Sequence, residues 1–273
     1  MINDNAKLID RRAETGGFDI IGDVHGCADE LELLLARLGY GVEFTGQGRD
    51  RRAQTTAPHR RRAVFVGDLT DRGPRSPDVL RIVMGLVATG QAFAVPGNHD
   101  VKIWRWLSGR NVSLTHGLNI SAEQFEAETS DFRQAVKTFL ASLPTYLWLD
   151  RGALAVAHAG IRSDMLGRLD GHIGHFCIYG DTDGKKDASG LSIRYNWAAN
   201  DAAAQTFVVY GHVPVTEPVF VNASACIDTG CCFGGKLTAL RWPEREIVSV
   251  PAQRAYYASM REFGLPLPRV PDA

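Results

Sequence analysis

The sequence predicts one large α/β domain, and three observations carry that reading. Five short apolar runs rich in β-formers each end in a glycine-marked phrase, and helical stretches alternate with them. At 273 residues and 45% hydrophobic composition, the chain has enough apolar material for one substantial core. The first run, FDII at 18–21, reads as a buried strand feeding Gly22-Asp23-Val24-His25-Gly26. Residues two apart on an extended chain face the same way, so Asp23 and His25 are expected to aim a carboxylate and an imidazole at one point. Residues 29–38 carry helical periodicity. The run AVFV at 63–66 then enters GDLTDRG, which holds Asp68, Asp71 and Arg72, and a second helical stretch covers 77–89. AFAV at 92–95 enters Pro96-Gly97-Asn98-His99-Asp100. His99 is expected to point away from Asn98, as neighbours on an extended segment do.

Residues 102–143 form an insertion, expected to be a helical cap over the pocket. Within it, Ser121-Ala-Glu-Gln124 reads as a capping-box start to a helical region that ends before Pro144. Trp104, Trp106 and Phe125 are read first as core, with stacking on a nucleobase as the functional alternative. LAVA at 154–157 precedes His158-Ala159-Gly160, and TFVVY at 206–210 precedes Gly211-His212. Loops at the carboxyl ends of strands are where open α/β sheets bind ligands, so the five strand ends are expected to converge. Asp23, His25, Asp68, Asn98, His158 and His212 then make a ligand set for two metal ions. Carboxylate, amide and imidazole donors without thiolate suit Mn²⁺, Fe or Zn²⁺.

Bulk properties exclude several classes. Net charge is −1, which gives no global pull toward nucleic acid. No apolar run approaches the roughly eighteen residues that cross a bilayer, and the opening MINDNAKLIDRRAE is polar, so a cytoplasmic protein is expected. Cys27, Cys177, Cys226, Cys231 and Cys232 are odd in number and lack CxxC spacing, as packing thiols of a reducing compartment do. Six arginines crowd residues 49–62. A solvated loop is the first reading, and a phosphate-backbone contact beside the site is the second. Gly230 to Leu237 nearly spells a phosphate-cradling loop, but Leu237 stands where a hydroxyl is required and KLTAL reads as a strand. His172 and His175 in GHIGH are read as loop histidines.

The phrases GDVHG, GDLTDRG, GNHD, HAG and YGH, in that order, resemble the signature of the phosphoprotein-phosphatase branch of the calcineurin-like metallophosphoesterases. The likeness runs over about 18–250. IYGDTDG, RYNWA, VVYGHVPV and IDTGCCFGGKLTALRWPEREIVSVPA further resemble the phosphatase module of bacterial polynucleotide kinase-phosphatases. Asp100 stands where the eukaryotic phosphatases have Glu, and Ala159 where they have Gly; both are of a kind met in bacterial branches. The resemblance implies two packed mixed β-sheets flanked by helices, an αββα sandwich spanning 1–273 with the helical insertion. It implies two divalent ions, Mn²⁺ first and Fe or Zn as alternatives. Asp23, His25, Asp68 and His212 would hold one; Asp68, Asn98 and His158 would hold the other, with a hydroxide between the ions as nucleophile.

His99 paired with Asp71 would donate a proton to the leaving oxygen, the carboxylate favouring its protonated form. Arg72 would clamp phosphate. Arg162 is a second clamp candidate against a plainer surface role, and Asp228 a candidate partner behind a ligand histidine. The implied activity is hydrolysis of phosphate esters, on 3′-phosphate or 2′,3′-cyclic phosphate ends of RNA or nucleotides. The alternatives are a bis(5′-nucleosyl)-tetraphosphatase (diadenosine tetraphosphate hydrolase) and a Ser/Thr phosphoprotein phosphatase. A binding module with decayed catalytic parts is a third reading, opposed by the presence of all these residues. The partner would be a phosphorylated small molecule or RNA end, with no membrane and no obligate protein, and the chain would act without a kinase module or ligase-like extension.

Overall fold

Strands buried on both faces set the architecture. The computed structural model describes residues 9–187, 190, 192–202 and 204–259, so the first eight residues of the polar N-terminal stretch lie outside it. A five-stranded sheet has the order β13-β12-β2-β5-β6, built from β2 (Gly17–Ile21), β5 (Arg61–Phe65), β6 (Ala92–Ala94), β12 (Lys236–Trp242) and β13 (Glu246–Pro251). Its β2, β5 and β6 run parallel, and β12 joins β2 antiparallel. A six-stranded sheet has the order β1-β7-β8-β9-β11-β10, from β1 (Asp10–Arg11), β7 (Tyr146–Leu149), β8 (Leu154–Ala157), β9 (Phe207–Tyr210), β10 (Val219–Val221) and β11 (Ser224–Cys226). Both sheets are mixed.

Alternation along the strands explains the layering. Phe18 and Ile20 of β2 face Leu154 and Val156 of β8 in an apolar layer between the sheets, while Ala155 and Ala157 turn to the opposite face. Outside the five-stranded sheet lie α1 (Ala28–Leu38) and α2 (Ser76–Ala88); outside the six-stranded sheet lie α6 (Gly171–Tyr179) and α7 (Trp197–Asn200). This is the expected αββα sandwich. Among the described residues, no helix is long and apolar enough to cross a membrane.

The insertion is welded into the first helical layer. It contributes α3 (Asn98–Leu107), α4 (Leu118–Glu126) and α5 (Ser130–Ser142), and Ile103, Leu118, Phe125, Val136 and Leu140 join the core that α1 and α2 cover. Phe125 is fully buried against Phe132, so its core reading holds. The capping box does not form: α4 starts at Leu118 with no side-chain cap, and Thr129 instead caps α5 by accepting from the Phe132 amide. His172 and His175 lie on helix α6, which Asp170 caps, and not in a loop. A short apolar stretch preceded by Asp carried that signal.

Three arginines of the 49–62 segment are tied into the fold, while Arg49, Arg52 and Arg60 are exposed, as the solvated reading expects. Residues 41–56 form a hairpin of β3 (Gly41–Thr45) and β4 (Arg52–Thr56), and Arg61 opens β5. Arg51 pairs with Asp78 and Glu128, Arg61 with Asp19, and Arg62 with Glu14. Arg61 and Arg62 sit at the amino end of β5, whereas Asp68 follows its carboxyl end, so they cannot line the site.

Candidate active site

All six expected metal ligands and the catalytic pair come together at the carboxyl ends of β2, β5, β6, β8 and β9. The local backbone is not extended there. His25, Asp68, Asp71, Arg72 and His212 all have positive φ, between 44° and 74°. Non-glycine residues in this region are strained and need a surrounding structure that over-determines them. His25 thus reaches the centre through a left-handed turn, which replaces the two-residue alternation expected of Asp23 and His25. Asn98 and His99 likewise open helix α3, so about 100° of helical rotation separates them, and not a strand pleat.

Two glycines make the approach possible. A Cβ on Gly97 would collide with the Asp68 carboxylate, and one on Gly211 with the Asp23 carboxylate.

Asp68 lies at the middle of the donors. Its Oδ2 is 3.4 Å from His25 Nε2 and its Oδ1 3.5 Å from His158 Nε2, so one carboxylate presents a different oxygen to each histidine. Carbonyls set the tautomers: His25 Nδ1 lies 2.9 Å from Thr70 O and His158 Nδ1 3.1 Å from Val66 O. Each Nδ1–H is thereby used as a donor, leaving the Nε2 lone pair toward the centre. His158 Nε2 also stands 3.2 Å from Asn98 Oδ1 and 2.9 Å from His212 Nδ1. Asp23 accepts the His212 amide at 3.1 Å. His212 Nε2 is buried without a hydrogen-bond partner.

Electrostatics mark the cluster as short of positive charge. Burial pushes Asp68 up to about 7 and Asp228 up to about 6, and it raises Asp23 well above the usual range, helped by Asp228 and Asp68. Burial also lowers His158 to about 3 and depresses His25 and His212. Buried carboxylates and neutral imidazoles gathered round an orphaned ring nitrogen are donors that a divalent cation would satisfy. The donor set fits the implied metal ions.

His99 and Asp71 are paired as expected, but their charge states differ from expectation. His99 Nδ1 is 2.6 Å from Asp71 Oδ2, but burial and then the Arg72 guanidinium hold His99 well below its ordinary range, while burial lifts Asp71 to about 7. Desolvation outweighs the charge attraction that the sequence reading relied on, so both groups favour neutrality. Arg72 straddles two rings, with Nη1 2.6 Å from His25 Nε2 and Nη2 2.9 Å from His99 Nε2.

Of three further placements, Arg162 follows its plainer surface reading and two differ from expectation. Arg162 is partly exposed and pairs with Asp164 at 3.0 Å, away from the donors. Asp228 is in the carboxylate cluster, but it accepts from the Gly230 amide at 3.0 Å, and carbonyls already take Nδ1 of His25 and His158. Ser121 and Gln124 brace GDLTDRG: Ser121 Oγ accepts the Asp71 amide at 2.8 Å, and Gln124 bonds the Ser76 amide and the Gly73 carbonyl. Arg194 was missed as a site residue. Its charge acts on Asp68, His158, His212 and Asp228, and with His212 it lines a small cavity of about 20 Å³, enough for one water-sized group. It follows no apolar run, so strand-end reasoning passed over it.

This fold and this set of strand-end donors define a metallophosphoesterase, and the chain belongs to the calcineurin-like phosphoesterase family, which matches residues 17–246. Family membership implies divalent metal ions and makes the chain a phosphate-ester hydrolase. It is 43% identical over 245 residues to the bis(5′-nucleosyl)-tetraphosphatase PrpE [asymmetrical] of Anoxybacillus flavithermus, covering 88% of this chain and 96% of the relative. It is 44% identical over 240 residues to the protein of the same name from Bacillus cereus, covering 86% and 94%. Among solved structures, one provisionally assigned as a diadenosine tetraphosphatase superposes with a TM-score of 0.64 at 24% identity, covering 89% of this chain and 97% of that one. A Saccharomyces cerevisiae serine/threonine phosphatase superposes at 0.57 and 12% identity, covering 90% and 83%. These two likenesses concern the fold.

Proposed function

We propose that this chain is an asymmetrically cleaving bis(5′-nucleosyl)-tetraphosphatase, which adds water to a dinucleoside tetraphosphate and releases a nucleoside triphosphate and a monophosphate. The substrate class rests on the relatives above, whose name covers proteins matched over nearly their whole length. It displaces the RNA-end reading, and Arg61 and Arg62 of the arginine-rich segment are held in ion pairs at the far end of β5. The reaction type rests on one observation: Asp68 offers one oxygen toward His25 and the other toward His158.

In this reading Asp23, His25, Asp68 and His212 hold one ion and Asp68, Asn98 and His158 the other, with Mn²⁺ the first choice for oxygen and imidazole donors. When bound, the ions supply Lewis-acid charge to the phosphoryl oxygens and raise the acidity of water. The Arg72 fork, which straddles two histidines, is sized to take two phosphate oxygens and to stabilise charge gained on the way to the transition state. Arg194 adds charge from the His212 side. His99, fixed by Asp71 through Nδ1, presents Nε2 for proton transfer to the leaving oxygen, once substrate charge raises its proton affinity. Five free, buried cysteines suit a cytoplasmic enzyme.

Turnover with Mn²⁺ should be measured side by side on diadenosine tetraphosphate, cytidine 2′,3′-cyclic phosphate and a phosphothreonine peptide. ATP and AMP from the first substrate, at the highest kcat/KM, are expected. Efficient cleavage of the cyclic phosphate with the dinucleotide left intact would overturn the proposal.

A further inference from the structure

A cavity of about 180 Å³ opens between α3 and the C-terminal end of α5. That is below the roughly 300–1,000 Å³ of a site that swallows a drug-sized ligand, so it has room for one ring system and not a whole nucleotide. Its walls are chemically mixed. Leu140 and Leu143 give apolar surface, Trp104 gives an aromatic face, and Arg105 and Arg110 are exposed at the mouth. The Trp104 indole N–H is buried with no hydrogen-bond partner, and Arg110 sits 5.3 Å over the Trp104 ring. Native structures rarely leave a buried donor unpaired, which marks the Trp104 ring as set for more than packing.

The cavity borders the segment that carries Asn98 and His99. Pro96 and Asp100 line it, flanking Asn98 and His99 on the same turn. On α3, Asn98, Val101 and Arg105 share one helical face, and Arg105 lies about 10 Å along the axis from Asn98. That span suits a chain of several phosphates and exceeds what one phosphate covers.

We propose that this cavity seats the nucleobase at the far end of the polyphosphate, stacked on Trp104, with Arg105 and Arg110 on the phosphates that lead to it. The inference rests on the tetraphosphatase reading and gives it a specificity pocket. Both tryptophans of the insertion pack against the core, but Trp104 lines the cavity whereas Trp106 does not, and Phe125 is fully buried. A purine provides a broad ring face for stacking on the indole.

The test compares kcat/KM for diadenosine tetraphosphate with kcat/KM for p-nitrophenyl phosphate, which has no base, in the Mn²⁺-loaded full chain. Trp104→Leu is expected to lower that ratio about tenfold to a hundredfold, the size of one lost base stack, through KM for the dinucleotide. AMP is expected to quench tryptophan emission of the wild type and to lose that quenching in Trp104→Leu. An unchanged ratio overturns the pocket while leaving the activity reading intact. Wild-type chain that leaves the dinucleotide uncut but keeps Trp104-dependent quenching by AMP overturns the activity reading and keeps the pocket. If Trp104→Leu fails to fold, Arg110→Ala decides, since its side chain is exposed: a severalfold rise in KM for the dinucleotide supports the pocket, and an unchanged KM overturns it.

Discussion

Strand β2 runs between two buried carboxylates that the molecule treats in opposite ways. Asp19, within the strand, is fully buried and neutralised: Arg61 stands 2.9 Å away, Arg241 3.1 Å, and the Tyr40 hydroxyl donates at 3.0 Å. Asp23, just past the strand end, joins Asp68, Asp71 and Asp228 near the Arg72 guanidinium, with further charge from Arg194 on Asp68 and Asp228. Burying an ion without a partner costs several kcal/mol, so a chain keeps such a cluster only where something else supplies the charge. One cluster is finished by the protein itself. The other is arranged to be finished by cations and a phosphate.

The sharpest way to break this comparison is to neutralise one carboxylate from each cluster. Asp68→Asn should lower kcat/KM by about a thousandfold or more, roughly 4 kcal/mol of transition-state stabilisation, while metal-free thermal stability holds or rises. Asp19→Asn should leave kcat/KM within about threefold but cost about 2–3 kcal/mol of stability, because two guanidinium groups lose their shared acceptor. Steady-state kinetics and thermal melts on the two variants check both signs. Matching stability losses would mean that the site carboxylates are already compensated.

A second test varies pH. The folded values of Asp68, about 7, and Asp228, about 6, lie above the ordinary 3.8. In the metal-free chain these groups therefore contribute stability that is complete below about pH 4 and lost as pH rises through 6 to 7. A divalent cation offsets that loss, and it binds without displacing protons once the carboxylates are ionised. The rise in Tm on adding Mn²⁺ should thus be larger at pH 8 than at pH 5, by about 5 °C. Scanning fluorimetry reads it directly. A shift of equal size at both pH values would remove the charge deficit from the argument.

The same contrast explains what was legible in the sequence. The strands were readable because both faces are buried, so each appears as an unbroken apolar run, and Asp23, Asp68, Asn98, His158 and His212 follow such runs closely. The turns were not readable from strand geometry: left-handed conformations at His25 and Asp68 oppose local preference and are imposed by tertiary contacts, such as the His25 amide bonding Asp68 O. Protonation was missed at His99 because the Asp71 partner is visible in sequence and the burial that outweighs it is not. The arginines of 49–62 were ambiguous because Asp19, Asp78 and Glu128, their partners, lie far away in the chain.

Ser121 tests how far the strained loop depends on its braces. A capping box would have spent this hydroxyl on its own helix, yet it accepts the Asp71 amide and meets Ser76 Oγ at 3.1 Å. Asp71 and Arg72 sit consecutively at φ of 74° and 68°, and Asp71 in turn orients His99. Removing the hydroxyl leaves the Asp71 amide with only its longer bond to Ser76 Oγ at 3.2 Å, a loss of about 1 kcal/mol. If the strain is held locally, Ser121→Ala should lower kcat about tenfold by loosening the Asp71–His99 geometry, and Ser121→Thr should recover most of the rate by restoring the oxygen. Equal activity in all three chains, with only Tm changed in Ser121→Ala, would show that the Ser121 hydroxyl braces the fold but not the geometry of Asp71 and His99.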